Sequence, residues 1–94
     1  MKVKELMDRI PVDEITLKIT DKQEPRKIPG KTLTVCECTG EDDTGKVIVT
    51  LWNDEIRLID IDDTVKITKG WASRYDDELT VSAGKFGKIE VVDE

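Results

Sequence analysis

The sequence predicts a small all-β domain, a closed barrel of five or six antiparallel strands that follows a short helical turn. Several stretches alternate apolar and polar residues with the period of two that is typical of strands, and glycine, proline or acidic residues separate them. The segment NDEIRLIDIDD, between two of these stretches, is too short for the crossover of a parallel pair. A length of 94 residues allows one domain with a single core.

The first element is a short helical turn, which Pro11 should end because proline cannot continue a helix. Its sequence, VKELMDRI, places apolar residues at helical spacing: Val3, Leu6, Met7 and Ile10. From Ile15 the period changes to two, which predicts a first strand with Ile15, Leu17 and Ile19 on its inward face. The segment KQEPRKIPGK, with two prolines and a glycine, is expected to be a loop.

The second strand is predicted over TLTVCECT, where Cys36 and Cys38 would share one face. Zinc needs four ligands, and the chain has no histidine and no further cysteine, so we expect reduced, half-buried thiols and no metal. The third strand, KVIVTLW, is the clearest. Its inward residues would be Val47, Val49 and Leu51, which leaves Trp52 on the opposite face.

The fourth strand should begin at Thr64, with Val65 and Ile67 facing inward. Strict alternation would then bury Trp71 and Tyr75 as well. Gly70 offers the alternative, because a glycine inside a strand often marks a bulge, and one extra residue turns every later side chain to the other face. A fifth strand, ELTVSA, and a last strand, KIEVV, flank the segment GKFG, whose Phe86 is expected to plug the barrel or anchor a loop.

The charge of the chain is −6, with most acidic residues at the breaks between strands and the cations largely within them. A negative net charge, taken alone, argues against nucleic acid as a partner. However, exposed charges more than a Debye length apart, about 8 Å at physiological salt, are largely screened from each other. Local cations can therefore decide what a groove on this protein attracts.

Two tryptophans and a tyrosine, interleaved with lysine and arginine, suggest a surface for unpaired nucleic acid. Bases stack on aromatic rings while nearby cations attract the phosphates. The candidate stacking residues are Trp52, Trp71 and Tyr75, and the cations interleaved with them are Lys18, Lys46, Lys69 and Arg74. The alternative is structural, since Trp71 and Tyr75 could belong to the core and Trp52 could cover one end of the barrel.

Catalysis is not expected. The chain has no histidine, no Cys-His or Ser-His pair and no glycine-rich phosphate loop. We therefore expect a non-enzymatic protein without cofactors. It also has no apolar run long enough for a membrane span or a signal peptide, which predicts a cytoplasmic protein.

The runs DDTGKVIVTLWND and DDTVKITKGWASRYDDELTVSAGKFGKIEVV resemble the oligonucleotide/oligosaccharide-binding (OB) domain of archaeal replication protein A, also called replication factor A, and of archaeal single-stranded DNA-binding proteins. The resemblance implies a five-stranded Greek-key barrel over residues 1–94, and it implies that Trp52, Trp71 and Tyr75 stack bases. The matching segment EPRK makes Arg26 a candidate phosphate contact, and Lys31, in the same basic loop, joins the candidate cations.

We therefore expect a domain that binds single-stranded DNA with little sequence preference during replication and repair. Single-stranded RNA is a second possible ligand, because stacking does not depend on the 2′-hydroxyl. The rival hypothesis is an OB module that binds replication and repair proteins or further OB domains. The chain is either one module of a longer protein or a free-standing binder.

Overall fold

Five long strands and three short elements make up the protein. The structure, a computed structural model, describes residues 1–75 and 77–92, and it describes residues 84–86 by their backbone alone. In chain order the elements are a 3-10 turn Val3–Glu5, β1 Ile10–Lys22, β2 Arg26–Lys27, β3 Thr34–Asp42, β4 Gly45–Trp52, a short helix α1 Glu55–Leu58, β5 Thr64–Tyr75 and β6 Glu78–Val91.

The long strands close into a ring in the order β1, β5, β6, β4 and β3, with β3 pairing back onto β1. The two-residue strand β2 lies outside this ring, beside β3. The predicted five-stranded barrel is thus confirmed. The expectation of a wholly antiparallel sheet is wrong, because β4 and β6 run parallel over Ile48–Thr50 and Thr80–Ser82. The connection between these two parallel strands contains α1 and the whole of β5. It is therefore long enough for a crossover without one long helix.

Several boundaries differ from those predicted. The segment KQEPRKIPGK, predicted as a loop, contains the two-residue strand β2. The helical turn has only three residues, and β1 already begins at Ile10, so Pro11 lies in a strand, where it pairs with Trp71. Proline is tolerated near the start of a strand. At the other end of the chain, the two predicted last strands form the single strand β6. The side chain of Phe86, predicted to plug the barrel or anchor a loop, lies outside the described part of the structure.

The core lies inside the barrel and consists mainly of aliphatic side chains from β1, β4, β5 and β6, together with Cys36 and Cys38 of β3. The predicted inward residues of β1, β4 and the first half of β5 are all buried: Ile15, Leu17, Ile19, Val47, Val49, Leu51, Val65 and Ile67. Cys36 and Cys38 share the inner face, as predicted, but they are fully buried and not half-buried. Burial in the apolar core is the main cause that raises the pKa of the Cys38 thiol to about 12. This thiol is therefore protonated and unreactive at neutral pH.

The alternation of side chains in β5 reverses at Lys69, which has a φ of +53°. Before this residue Val65 and Ile67 face the core; after it, Gly70 and Ala72 do. The reversal turns the following odd-numbered residues, including Trp71, to the outside. The break predicted at Gly70 therefore lies one residue earlier. We call it the Lys69 kink.

Both strands that pair with β5 have an irregularity opposite the Lys69 kink. On β1, two exposed residues in succession, Asp13 and Glu14, separate the buried Val12 from the buried Ile15. On β6, the pairing passes from Ala83 to Lys88, so that residues 84–87 lie opposite Lys69 alone. Glycine is needed on β6 because a Cβ atom at Gly87 would lie 2.4 Å from the carbonyl oxygens of Thr68 and Lys69.

The acidic turn between β3 and β4 holds the N-terminal segment against the barrel. Asp42 accepts hydrogen bonds from the backbone N–H of Val3 at 2.8 Å and from the N–H and hydroxyl of Thr44 at 2.7 and 2.6 Å. Burial alone would raise the pKa of the Asp42 carboxyl, but these hydrogen bonds outweigh it and the pKa lies below its ordinary value. The turn therefore has a structural role.

Candidate nucleic-acid interface

A groove of about 650 Å³ crosses the outer face of the barrel. It brings together β2, β3, β4, β5 and β6, and four of the predicted site residues line it, namely Arg26, Trp52, Trp71 and Tyr75. The remaining lining residues are Lys27, Ile28, Pro29, Val35, Glu37, Thr50, Ser73, Glu78, Thr80 and Ser82. We call this surface the aromatic groove.

Trp71 and Tyr75 lie on the outward face of β5, beyond the Lys69 kink. Their side chains are 46% and 68% exposed, respectively. The two residues are four positions apart along the strand, which is about 13 Å at about 3.3 Å per residue. Trp71 lies opposite Ser82 of β6, and Tyr75 lies opposite Glu78. Both rings are therefore open to a ligand in the groove.

Trp52 ends β4 on the side facing away from the core. Its backbone N–H donates a hydrogen bond of 3.0 Å to the Glu55 carboxylate of α1, which fixes the end of the strand. Its partner across the sheet is Val35 of β3. Val35 is buried but does not belong to the core cluster, and it lines the groove. Trp52 therefore packs at the outer wall of the barrel and is partly exposed.

The three rings follow a bent line, which runs along β5 from Tyr75 to Trp71 and then crosses the sheet to Trp52. β6 separates β5 from β4, so Trp71 and Trp52 are two strand spacings apart, which is about 10 Å across the sheet. Register places Trp71 level with Thr50, since both lie beside Ser82, so Trp52 lies two residues farther along β4. Tyr75 lies toward the opposite end. A strand of nucleic acid following this line would pass all three rings in succession.

Hydroxyl groups lie between the rings. They belong to Thr50, Ser73, Thr80 and Ser82, all of which line the aromatic groove. The Thr80 hydroxyl donates a hydrogen bond of 3.0 Å to the carbonyl oxygen of Ser73. Because a hydroxyl both donates and accepts hydrogen bonds, this surface can accommodate any base edge.

Arg26 is the one predicted cation that lines the groove. It lies on β2, is paired in register with Val35, and its guanidinium donates a hydrogen bond of 2.8 Å to the Glu37 carboxylate. Its side chain is 71% exposed. Lys27, the next residue, also lines the groove but was not among the predicted site residues. Its position in the same basic segment, EPRK, was the signal that could have identified it.

The other predicted cations do not line the aromatic groove. Lys46 is the second residue of β4 and pairs with Glu41, six residues and so about 20 Å from Trp52. Lys18 lies on β1, where its partners are Glu41 and Thr64. Both side chains are exposed, but the sheet places them at a distance from the rings.

Three more predicted cations lie around the groove without lining it. The side chain of Arg74 lies on the opposite face of β5 from the adjacent groove residues Ser73 and Tyr75. Its guanidinium donates a 3.4 Å hydrogen bond to the carbonyl oxygen of Asp77. Lys69 forms the kink itself. Lys31 lines a small hollow of the adjoining loop, three residues after Ile28 of the groove.

The groove is close to electrically neutral. Its two cations, Arg26 and Lys27, lie at the β2 end, and its two carboxylates belong to Glu37 and Glu78. Glu78 lies beside Tyr75, so the end of the groove at Tyr75 is acidic. Any affinity for a polyanion must therefore come largely from the rings.

The described residues contain no group of three or more histidine, cysteine, aspartate or glutamate side chains that could hold a metal ion. No helix within them is both long and apolar enough to cross a membrane.

Comparisons with known proteins identify the family of the chain. The family model "Single-stranded DNA binding protein Ssb-like, OB fold" matches residues 2–91. Single-stranded DNA binding protein Ssb of Saccharolobus solfataricus is 30% identical over 77 residues, which are 80% of this chain and 52% of that protein. The chain thus spans about half the length of this relative.

Solved structures share the fold. A domain of replication protein A from Methanococcus maripaludis has a TM-score of 0.81 at 20% identity, over 100% of this chain and 96% of that one. A replication factor A related protein from Methanobacterium thermoautotrophicum has a TM-score of 0.79 at 17% identity, over 99% and 90%. Since the family model covers nearly the whole sequence, the chain belongs to the Ssb-like family of single-stranded DNA-binding proteins and has their OB fold.

Proposed function

We propose that the aromatic groove binds single-stranded DNA without strong sequence preference. Bases stack on Trp52, Trp71 and Tyr75, and phosphates bind at Arg26 and Lys27. The observation that supports this most is the outward position of Trp71 and Tyr75, because two large rings on a strand of a soluble barrel would otherwise be expected in its core. The relative from S. solfataricus is itself named as a single-stranded DNA-binding protein.

Stacking supplies most of the affinity in this proposal. Each stacked base contributes about 1 to 3 kcal/mol, as judged by alanine substitution. The remaining predicted cations act on flanking phosphates or through the field of the protein: Lys18, Lys31, Lys46, Lys69 and Arg74. We further propose that residues 1–94 act as one non-catalytic module, which protects or presents the strand during replication and repair.

The salt dependence of binding tests how many cations take part. Anisotropy of a fluorescently labelled oligo-dT strand should report binding, with log affinity falling against log salt by about 0.7 per phosphate neutralised. Contacts from Arg26 and Lys27 alone predict a slope of about −1.4. A slope steeper than about −4 would mean that the flanking cations contribute directly. The absence of binding at high protein concentration would refute the proposed function.

Two other ligands can be tested in the same titration. An RNA strand of equal length measures discrimination by the 2′-hydroxyl. The rival function, contact with proteins or further OB domains, is favoured by the charge of −6 and by Leu58 and Ile61, which are 68% and 49% exposed. A sedimentation experiment that shows self-association, together with no binding of DNA or RNA, would support this rival.

A further inference from the structure

Glu37 is the feature of the aromatic groove that its proposed function does not explain. A carboxylate should repel the phosphates of a bound strand, and yet Glu37 lies in the groove wall on β3. Its side chain is about one-third exposed. It faces Thr50 directly across the sheet, and Trp52 is the next outward residue after Thr50. Long side chains reach such diagonal neighbours across strands.

The ion pair with Arg26 holds the Glu37 side chain in place. One oxygen, Oε1, accepts the 2.8 Å hydrogen bond from the guanidinium. A carboxylate has two oxygens and about four acceptor sites. The other oxygen is therefore available to a ligand, as is Oε1 if a phosphate draws Arg26 away. In either case Glu37 presents acceptors only. It lies level with Thr50, within diagonal reach of a base that stacks on Trp52.

Bases differ in what they offer to an acceptor. Cytosine presents the N4 amino group, adenine the N6 amino group and guanine the N2 amino group, whereas thymine presents carbonyl oxygens at O4 and O2. Glutamate accepts readily from cytosine N4. Against thymine the same carboxylate faces two acceptors and can reach only the single N3–H between them.

We propose that Glu37 biases the position next to Trp52 toward bases with an exocyclic amino group and against thymine. The proposal rests on the proposed function, since it concerns a base in the aromatic groove. The polar side chains between the rings are hydroxyls, which accept and donate equally; the second carboxylate of the groove, Glu78, lies beside Tyr75 at the opposite end. The protein as a whole then binds mixed sequences, and the bias that Glu37 adds is confined to the position next to Trp52.

The test compares oligo-dC and oligo-dT strands of equal length at pH 7.5. These strands carry the same number of phosphates and the same size of ring, so their electrostatic terms match. From the net contribution of one typical hydrogen bond, the native protein should bind oligo-dC about 2-fold to 12-fold more tightly. In Glu37→Gln the ratio should fall to near one, because an amide both donates and accepts. Affinity for oligo-dT should rise at the same time, since a negative charge leaves the groove.

Glu41→Gln is the matched control. Glu41 lies on the same outward face of β3, four residues from Glu37, and it does not line the groove. The Glu41→Gln variant removes the same charge as Glu37→Gln, but it should keep the preference for oligo-dC. Equal binding of the two strands by the native protein, or an unchanged ratio in Glu37→Gln, would overturn the role of Glu37 and leave the proposed function standing. Failure to bind either strand would overturn both.

Discussion

Replacing Trp71 with alanine is expected to weaken binding of single-stranded DNA about 5-fold to 150-fold while the barrel stays folded. The range corresponds to the loss of one base stack, about 1 to 3 kcal/mol. Folding should survive because nearly half of the Trp71 side chain is already exposed, at 46%. The measurement is an anisotropy titration with oligo-dT, accompanied by a thermal melt of the variant.

Two variants serve as controls for this prediction. Trp71→Phe keeps an aromatic face and should retain most of the affinity. Leu58→Ala removes an exposed apolar side chain that does not line the aromatic groove, and it should leave binding unchanged. A folded Trp71→Ala protein with native affinity would contradict the stacking role, and an unfolded one would show that the ring supports the core.

Replacing Gly87 with alanine is expected to destabilise the protein by about 1 to 3 kcal/mol, the usual effect of overpacking. The new Cβ atom would lie 2.4 Å from the carbonyl oxygens of both Thr68 and Lys69, and these are backbone atoms that cannot rotate away. For a domain of this size each kcal/mol lowers the melting temperature by roughly 4 to 8 °C. The variant should therefore melt roughly 4 to 24 °C lower.

Gly45→Ala is the matched control for Gly87→Ala. A Cβ atom at Gly45 would meet only Val3 Cγ1, at an ordinary contact distance of 3.4 Å. The melting temperature of this variant should stay within a few degrees of the native value. Equal stability of Gly87→Ala and Gly45→Ala would show that the Lys69 kink does not depend on close approach of β6.

The sequence predicted the strands and the inward faces well because the alternation of apolar residues is local. The face of Trp71 could not be decided in this way. It depends on Lys69 adopting a positive φ, which is uncommon for a residue other than glycine. One signal was present on β1. The spacing of its inward apolar residues is three between Val12 and Ile15, where it is otherwise two, and this irregularity lies opposite the Lys69 kink.

The candidate site was less predictable than the fold. All three candidate stacking residues line one groove together with Arg26, but the other predicted cations do not line it. Lys46 shows why: it shares a face with Trp52 and yet lies near the start of the strand that Trp52 ends. Alternation assigns a face but not a position along the sheet. The parallel pairing of β4 and β6, which defines the groove, is a long-range contact without a local pattern.

The most direct test of the account is the emission of each tryptophan when DNA binds. The variants Trp52→Phe and Trp71→Phe each leave one tryptophan, so the two rings can be followed separately. Titrated with oligo-dT to saturation, as judged by anisotropy, both proteins should lose emission because bases stack on the remaining indole. Saturated binding with the emission of Trp71 unchanged would contradict the central claim that the outward rings are the surface on which DNA lies.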